Sequence, residues 1–219
     1  MAEVQFHGFT FENWVKQEFF AGHVGGYSSH WDVPAELNRS DILQSEFRGL
    51  PVSIKTAKVG SPLGLGDAVR QIRIDYDFVM IAGFWEQRTA TDKFFTQIGA
   101  ARITRGRWQS LWSPITTTQI YLLDSAVKDR TVHYADTRLA AQEIKQRYRF
   151  DTATIVVNPK IDSKKQRRVQ CSIPNSSFWE LVGETPRPTD NPIFWNRPFK
   201  NPVKSSARKF KKDSAPPEF

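Results

Sequence analysis

Apolar residues recur along this chain with two periods, and each period predicts its own elements. In residues 10–21, TFENWVKQEFFA, the residues Phe11, Trp14, Val15 and Glu18 fall at i, i+3, i+4 and i+7, one face of a helix that Thr10 can cap. Residues 116–129 and 136–149 also read as helices, as does the shorter stretch 92–100, DKFFTQIGA. Asp67 begins a short helix over 67–72. Ser177 and Glu180 stand at capping-box spacing at the head of another, SSFWEL. The strands read differently. Residues 50–56 alternate, 78–86 (DFVMIAGFW) are continuously apolar as in a central strand covered on both faces, and TATIVVN and RRVQCSI flank a basic connection, PKIDSKKQ. HWDVP, 30–34, is a short extended piece, and 37–48 is a loop or short helix. Glycine-rich links, GHVGGYSS and GSPLGLG, break the pattern. The order predicts an α/β fold with a mixed central sheet flanked by helices.

Length and composition bound the reading. A chain of 219 residues with 39% hydrophobic and 25% charged residues suits one globular domain, expected over 1–183. From 184 to 219 the chain turns proline-rich and aromatic, then basic, and its last fifteen or so residues are expected to be mobile. The formal net charge of +8 favours a polyanionic partner, nucleic acid before an anionic membrane. The single cysteine, Cys171, excludes an intramolecular disulfide and suits a reducing, cytoplasmic setting. The first residues lack a basic stretch followed by an apolar one, and the longest apolar run, 79–86, is too short to span a bilayer, so no membrane partner is expected.

The chemistry concentrates at one strand. In GLPVSIKTAK, alternation places Leu50, Val52 and Ile54 on one side and Ser53 and Lys55 on the other. Asp32, between Trp31 and Val33, points away from its apolar neighbours by the same rule. If the two segments pair as a hairpin, Asp32 and Lys55 meet. Alone, Asp32 reads as a turn residue before Pro34 and Lys55 as a solvated edge residue, but the compatible spacing and parity of the pair favour a site. A carboxylate beside a lysine can hold a divalent metal, usually Mg²⁺, and place an ammonium against a phosphate. The Ile54 carbonyl, between the two strand positions, is a further candidate metal ligand.

On these residues, WDVP followed by PVSIKTAK, the chain resembles the PD-(D/E)xK nucleases, type II restriction endonucleases above all. LGDAVRQIRIDYDFVMIAGFW resembles the helix and central strand that follow that core, and the likeness spans roughly residues 10–86. It implies a restriction-endonuclease-like core and Mg²⁺-dependent, sequence-specific cleavage of double-stranded DNA. A palindromic site implies a twofold dimer. Asp32 and Lys55 match the motif, whereas Ser53 stands where the family has an acid. The missing acid is then sought in Glu18, Glu36 or Glu46. Glu18 leads, because it sits on the expected core-facing stripe of the first helix, and several family members draw an acid from that helix. Glu36 follows Asp32 by four residues and could also reach the metal. A repair or junction-resolving nuclease on the same core and a non-catalytic nucleic-acid-binding protein are the alternatives.

Two clusters are candidate DNA contacts: Arg102, Arg105 and Arg107, and Lys160, Lys164, Lys165, Gln166, Arg167 and Arg168. A basic tail, Arg208 to Lys212, could bind phosphate. Glu143 and Lys145 match E-x-K in text only, because helical positions two apart do not face each other. Asp67 reads as a helix cap. His7, His23, His30 and His133 lack metal-site spacing, and no P-loop, zinc-deaminase or nucleophile-elbow signature occurs.

Overall fold

Alternation along the central apolar strand divides the core in two. In the computed structural model, which describes residues 6–23, 31–39, 41–162 and 166–204, this run is β3 (Phe78–Gln87). Its residues Phe78, Met80, Ala82 and Phe84 belong to one buried cluster, and Val79 and Ile81 to the other. On one side β3 pairs in parallel with β1 (Val52–Lys58), and on the other in antiparallel with β4 (Asp92–Ile103). β9 (Val203–Lys204) extends the sheet beyond β4, giving the order β1-β3-β4-β9. A second, antiparallel sheet runs β2 (Leu63–Asp67), β6 (Arg167–Ile173), β5 (Val156–Ile161), and β7 (Ile193–Phe194) forms a hairpin with β8 (Arg197–Pro198). The protein is thus mixed α/β, with a mixed sheet flanked by helices.

Glycines let the helices come close. α1 (Phe6–Phe19) packs on one face of the main sheet, where a Cβ on Gly83 would lie 2.7 Å from the Phe11 ring. α6 (Asn175–Val182) packs on the other face, where a Cβ on Gly99 would lie 2.5 Å from the Trp179 ring. α2 (Ala68–Ile72), α4 (Thr117–Lys128) and α5 (Tyr134–Arg147) pack on the second sheet and on one another, and α3 (Arg105–Trp112) is tied to α2 by the Trp108 indole N–H, which donates to the Gln71 carbonyl at 2.9 Å. α4 starts at a capping box of Thr116 and Gln119.

Several expectations are corrected. Residues 92–100 are strand, not helix: Phe95 through Gly99 are all buried, so neither face carries a polar stripe, and pairing from Phe78↔Ile103 to Gln87↔Lys93 decides the conformation. GSPLGLG does more than break a strand, since Leu63–Asp67 is β2. α1 begins at Phe6, which puts Thr10 inside the helix. α6 begins at Asn175 after Pro174 with no side-chain cap, so Ser177 and Glu180 form no capping box. The packed unit also runs past residue 183, because Phe194, Phe199 and Val203 are buried with Phe11 and Phe19. The basic tail and the expected mobility of the last residues lie outside the described residues. Among the described residues no helix is long and apolar enough to cross a membrane.

Candidate functional site around Asp32 and Lys55

The segment carrying Asp32 docks on the first residue of β1. Val33 and Val52 form an isolated antiparallel bridge, with Val52 N–H donating to the Val33 carbonyl at 2.8 Å and Asp32 N–H to the Val52 carbonyl at 3.0 Å. The docking carries the Asp32 carboxylate over the next turn of the pleat. Its Oδ2 accepts from Ile54 N–H at 2.6 Å and from Lys55 Nζ at 3.1 Å. Lys55 Nζ also donates to the Ile54 carbonyl at 3.0 Å. The parity expected from the sequence holds: Val52 and Ile54 are buried in the cluster with α1, while Ser53 and Lys55 line a hollow on the opposite side.

That hollow explains how a sheet strand accommodates an ammonium. It is a cavity of about 320 Å³, walled by Trp31, Asp32, Ser53 and Lys55 on one side and by residues 64–67 and Arg70 on the other. Lys55 and Asp32 keep 23% and 26% of their side-chain surface exposed, so the pair is half-buried and open to a ligand. The second carboxylate in the cavity is Asp67. It caps α2, accepting the Arg70 N–H at 2.8 Å, and it lines the cavity as well. Capping accounts for the residue so fully in the sequence that its second position, at the end of an unrecognised glycine-rich strand, left no signal.

Glu18 does not reach this place. The buried ridge of α1 is Phe11, Val15 and Phe19, spaced by four, and Glu18 falls at its margin, 38% exposed and 3.7 Å from Arg197. It lines neither cavity beside Lys55. Glu36, in a 3-10 turn (Ala35–Leu37), and Glu46 are exposed and line neither of them. The acid that α1 does bring near Lys55 is Glu12, which lines a hollow of about 280 Å³ with His7 and Thr56 and pairs with Lys16 at 2.6 Å. Beyond it, His7 Nδ1 lies 3.0 Å from Lys93 Nζ, and that ammonium lies 4.2 Å from the centre of the Trp85 ring. Burial and the Lys93 charge push the His7 pKa down to about 4, so its ring is neutral near pH 7. Cys171 is buried, and burial with the nearby Asp67 raises its thiol pKa, which leaves it no thiolate character.

The basic clusters divide by partner. Arg102 donates to Asp77 at 2.9 Å, and Arg105 N–H donates to the same carboxylate at 2.9 Å. The Arg105 and Arg107 side chains are exposed on the first turn of α3. Lys160 and Arg168 face each other across β5 and β6, both exposed, and Gln166 is exposed beside them. Arg167 turns inward instead, donating to the Asp129 and Val132 carbonyls and to Thr137 Oγ1. Lys164 and Lys165 lie outside the described residues.

Comparison with protein-family models, with curated proteins and with solved structures returned no match. Among the described residues no group of three or more His, Cys, Asp and Glu converges. A hard cation needs less: Mg²⁺ is held by one or two carboxylates and keeps several waters. Both hydrogen bonds that Asp32 accepts from described residues fall on Oδ2, which leaves the lone pairs of Oδ1 to a cation or to water. Asp67 lines the same cavity, so two acids are among the residues available to such an ion.

Proposed function

We propose that this chain is a Mg²⁺-dependent, sequence-specific endonuclease of double-stranded DNA, on a restriction-endonuclease-like core. The observation that carries the reading is the contact of Asp32 with Lys55 and the Ile54 N–H across two docked segments, facing a polar cavity. Asp32, with the Ile54 carbonyl and Asp67, would hold the metal, which when bound supplies an acidified water and neutralises charge on the phosphate. Lys55 places its ammonium against the phosphate and stabilises the charge that builds on it. The Ile54 N–H and the Lys55 ammonium fix the orientation of Asp32. Ser53, in place of the family's acid, offers a hydroxyl to the same cavity. The exposed arginines near Asp77 and the exposed cations of β5 and β6 suit phosphate contacts, and a palindromic site calls for two copies of the chain related by a twofold axis.

Ser53 favours a second reading, a nucleic-acid-binding protein without catalysis, because a hydroxyl is a poor metal ligand beside a carboxylate. Digestion of one sequenced phage DNA separates the two. Discrete fragments with Mg²⁺, none with a chelator and none with Asp32→Asn are the expected result. Intact DNA under every metal condition, with binding retained, would establish the second reading. A smear, or cutting only at branched junctions, would point to a repair or junction-resolving enzyme instead.

A further inference from the structure

One wall of the polar cavity has no part in holding a metal or a phosphate. Trp31, next to Asp32 in the chain, lines the cavity, and its indole N–H donates to the Tyr76 hydroxyl at 2.9 Å. The two rings lie 5.8 Å apart at 58°. On the core side Trp31 packs against Phe78 at 5.2 Å, and Phe78 meets the buried Trp108 edge-on at 5.2 Å. An unbroken aromatic row therefore runs from Trp108 in the core through Phe78 and Trp31 to Tyr76, which is 43% exposed. A ring that exposed gains little from burial. It is nevertheless held in place by a hydrogen bond to a side chain that is itself packed on the core. The next residue in the chain, Asp77, pairs with Arg102 and accepts from the Arg105 N–H, so two exposed arginines are bonded to the residue that follows Tyr76.

We propose that Trp31 and Tyr76 form a nucleobase-stacking step beside the phosphate site. The inference rests on the reading of Asp32 and Lys55 as a phosphodiester site, and it names what lies next to that phosphate: a base taken out of the helical stack. Every base has a π-face, so a rigid exposed ring near cations accepts any of them with little sequence preference. A base within a duplex must leave the stack to reach the ring, and a mispaired base leaves at lower cost. The substrate is thus engaged at a locally opened nucleotide, not along an undisturbed double helix.

The test compares two labelled strands of about a dozen nucleotides, oligothymidylate and the same sugar–phosphate backbone carrying no bases, by fluorescence anisotropy on the full chain. The wild type should bind the strand with bases about 5- to 100-fold more tightly. Tyr76→Leu keeps an apolar side chain but removes the ring, and should bring the two affinities together. Tyr76→Phe should keep the preference, because the ring remains when the hydroxyl is gone. Equal binding of both strands by the wild type would overturn the step, as would a preference that survives Tyr76→Leu. Cleavage of phage DNA by the same preparations reports separately on Asp32 and Lys55. A protein that cuts without any base preference keeps the nuclease reading and loses the stacking step. A protein with base preference but no cutting keeps the step and loses the nuclease reading.

Discussion

Two hollows among the described residues, one of about 790 Å³ and the Asp32–Lys55 cavity of about 320 Å³, are both lined by half-buried lysines, and the two lysines do opposite things. The larger, about 790 Å³, lies between α5 and β5, with Arg138, Lys145 and Arg149 around a floor that includes Phe150 and Val157. Two of these cations, Lys145 and Arg138, are committed to backbone. Lys145 Nζ donates to the Val157 carbonyl at 2.8 Å, and Arg138 reaches the Ile161 carbonyl through two nitrogens at 3.1 and 2.8 Å. Pro159, between these positions, has no N–H to offer. The outer edge of β5 is thus closed against further strand pairing. In the smaller cavity Lys55 instead meets a carboxylate, with a second carboxylate across the space. Volume alone would have pointed to the hollow without a carboxylate–lysine contact. What each ammonium is bonded to separates a seam of the fold from a place where charge can be handed to a ligand.

The largest expected effect breaks the comparison directly. Lys55→Met and Lys145→Met remove the same ammonium and keep a similar stem. Lys55→Met should lower the cleavage rate by about 10²–10³ or more, the usual loss of a group that stabilises a transition state. Lys145→Met should leave cleavage unchanged and instead cost about 1 kcal/mol by orphaning the Val157 carbonyl. Single-turnover cleavage and thermal melting measure the two. A dead but well-folded Lys145→Met beside an active Lys55→Met would invert the assignment.

The next effect sharpens the choice of acids. Asp67→Asn should slow cleavage by about 10- to 100-fold and raise the Mg²⁺ needed for half-maximal rate, by analogy with the loss of a group supporting a metal. The melting temperature should hardly move, because Asn caps a helix about as well as Asp. Glu18→Gln should leave the rate within about twofold, because this side chain faces Arg197 and not the cavity. A rate that collapses in Glu18→Gln and survives in Asp67→Asn would return the missing acid to α1.

What can be read from the chain follows from the reach of the signals. The meeting of Asp32 and Lys55 depends on parity over five residues and one short docking, both local, and residues 167–173 alternate clearly enough to bound β6. β4 escapes such a reading because it is buried on both faces, which erases its period, and β2 because its alternation is only Leu63 and Leu65, set among glycines that read as a turn. The acid on α1 is misplaced for a subtler reason. Two ridges, Phe11–Trp14–Val15–Glu18 and Phe11–Val15–Phe19, both fit a helix. Only the partner selects between them, here the main sheet with Phe199 and Phe194 brought in from beyond residue 183. Asp67 is legible as a cap and illegible as a cavity wall, because the second role depends on a segment more than thirty residues upstream, at Asp32.

A smaller effect distinguishes surface cations from structural ones. Changing Arg105 and Arg107 together to Ala should flatten the salt dependence of DNA binding by about 0.9 in log–log slope for each phosphate that is no longer neutralised. Arg167→Ala should leave that slope alone and lower stability, since its guanidinium ties β6 to the Asp129 and Val132 carbonyls. Anisotropy titrations across a salt series, read beside melting curves, check both. An unchanged slope in the double variant would remove the α3 arginines from the DNA interface.

The smallest expected effect concerns the wall of Lys55 that α1 supplies. His7 lines the hollow beyond Lys55, and its Nδ1 must be unprotonated to accept from Lys93. In the unfolded chain the ring titrates at its ordinary 6.5, and in the folded protein burial and Lys93 lower this to about 4. Between these values the unfolded chain binds more protons than the folded one, so stability falls as pH falls from 6.5 towards about 4. Above 6.5 the contribution is fully present. Carboxylates as a class titrate at the lower end of the same range, so the wild-type curve alone is not diagnostic. His7→Asn keeps an acceptor for Lys93 and removes the titration. The wild-type melting temperature minus that of the variant should drop by a few degrees as pH falls from about 7 to about 4.5. The variant should be the flatter of the two. Parallel curves would mean that His7 is protonated without cost, and that the Lys93 contact does not hold the start of α1 against the sheet.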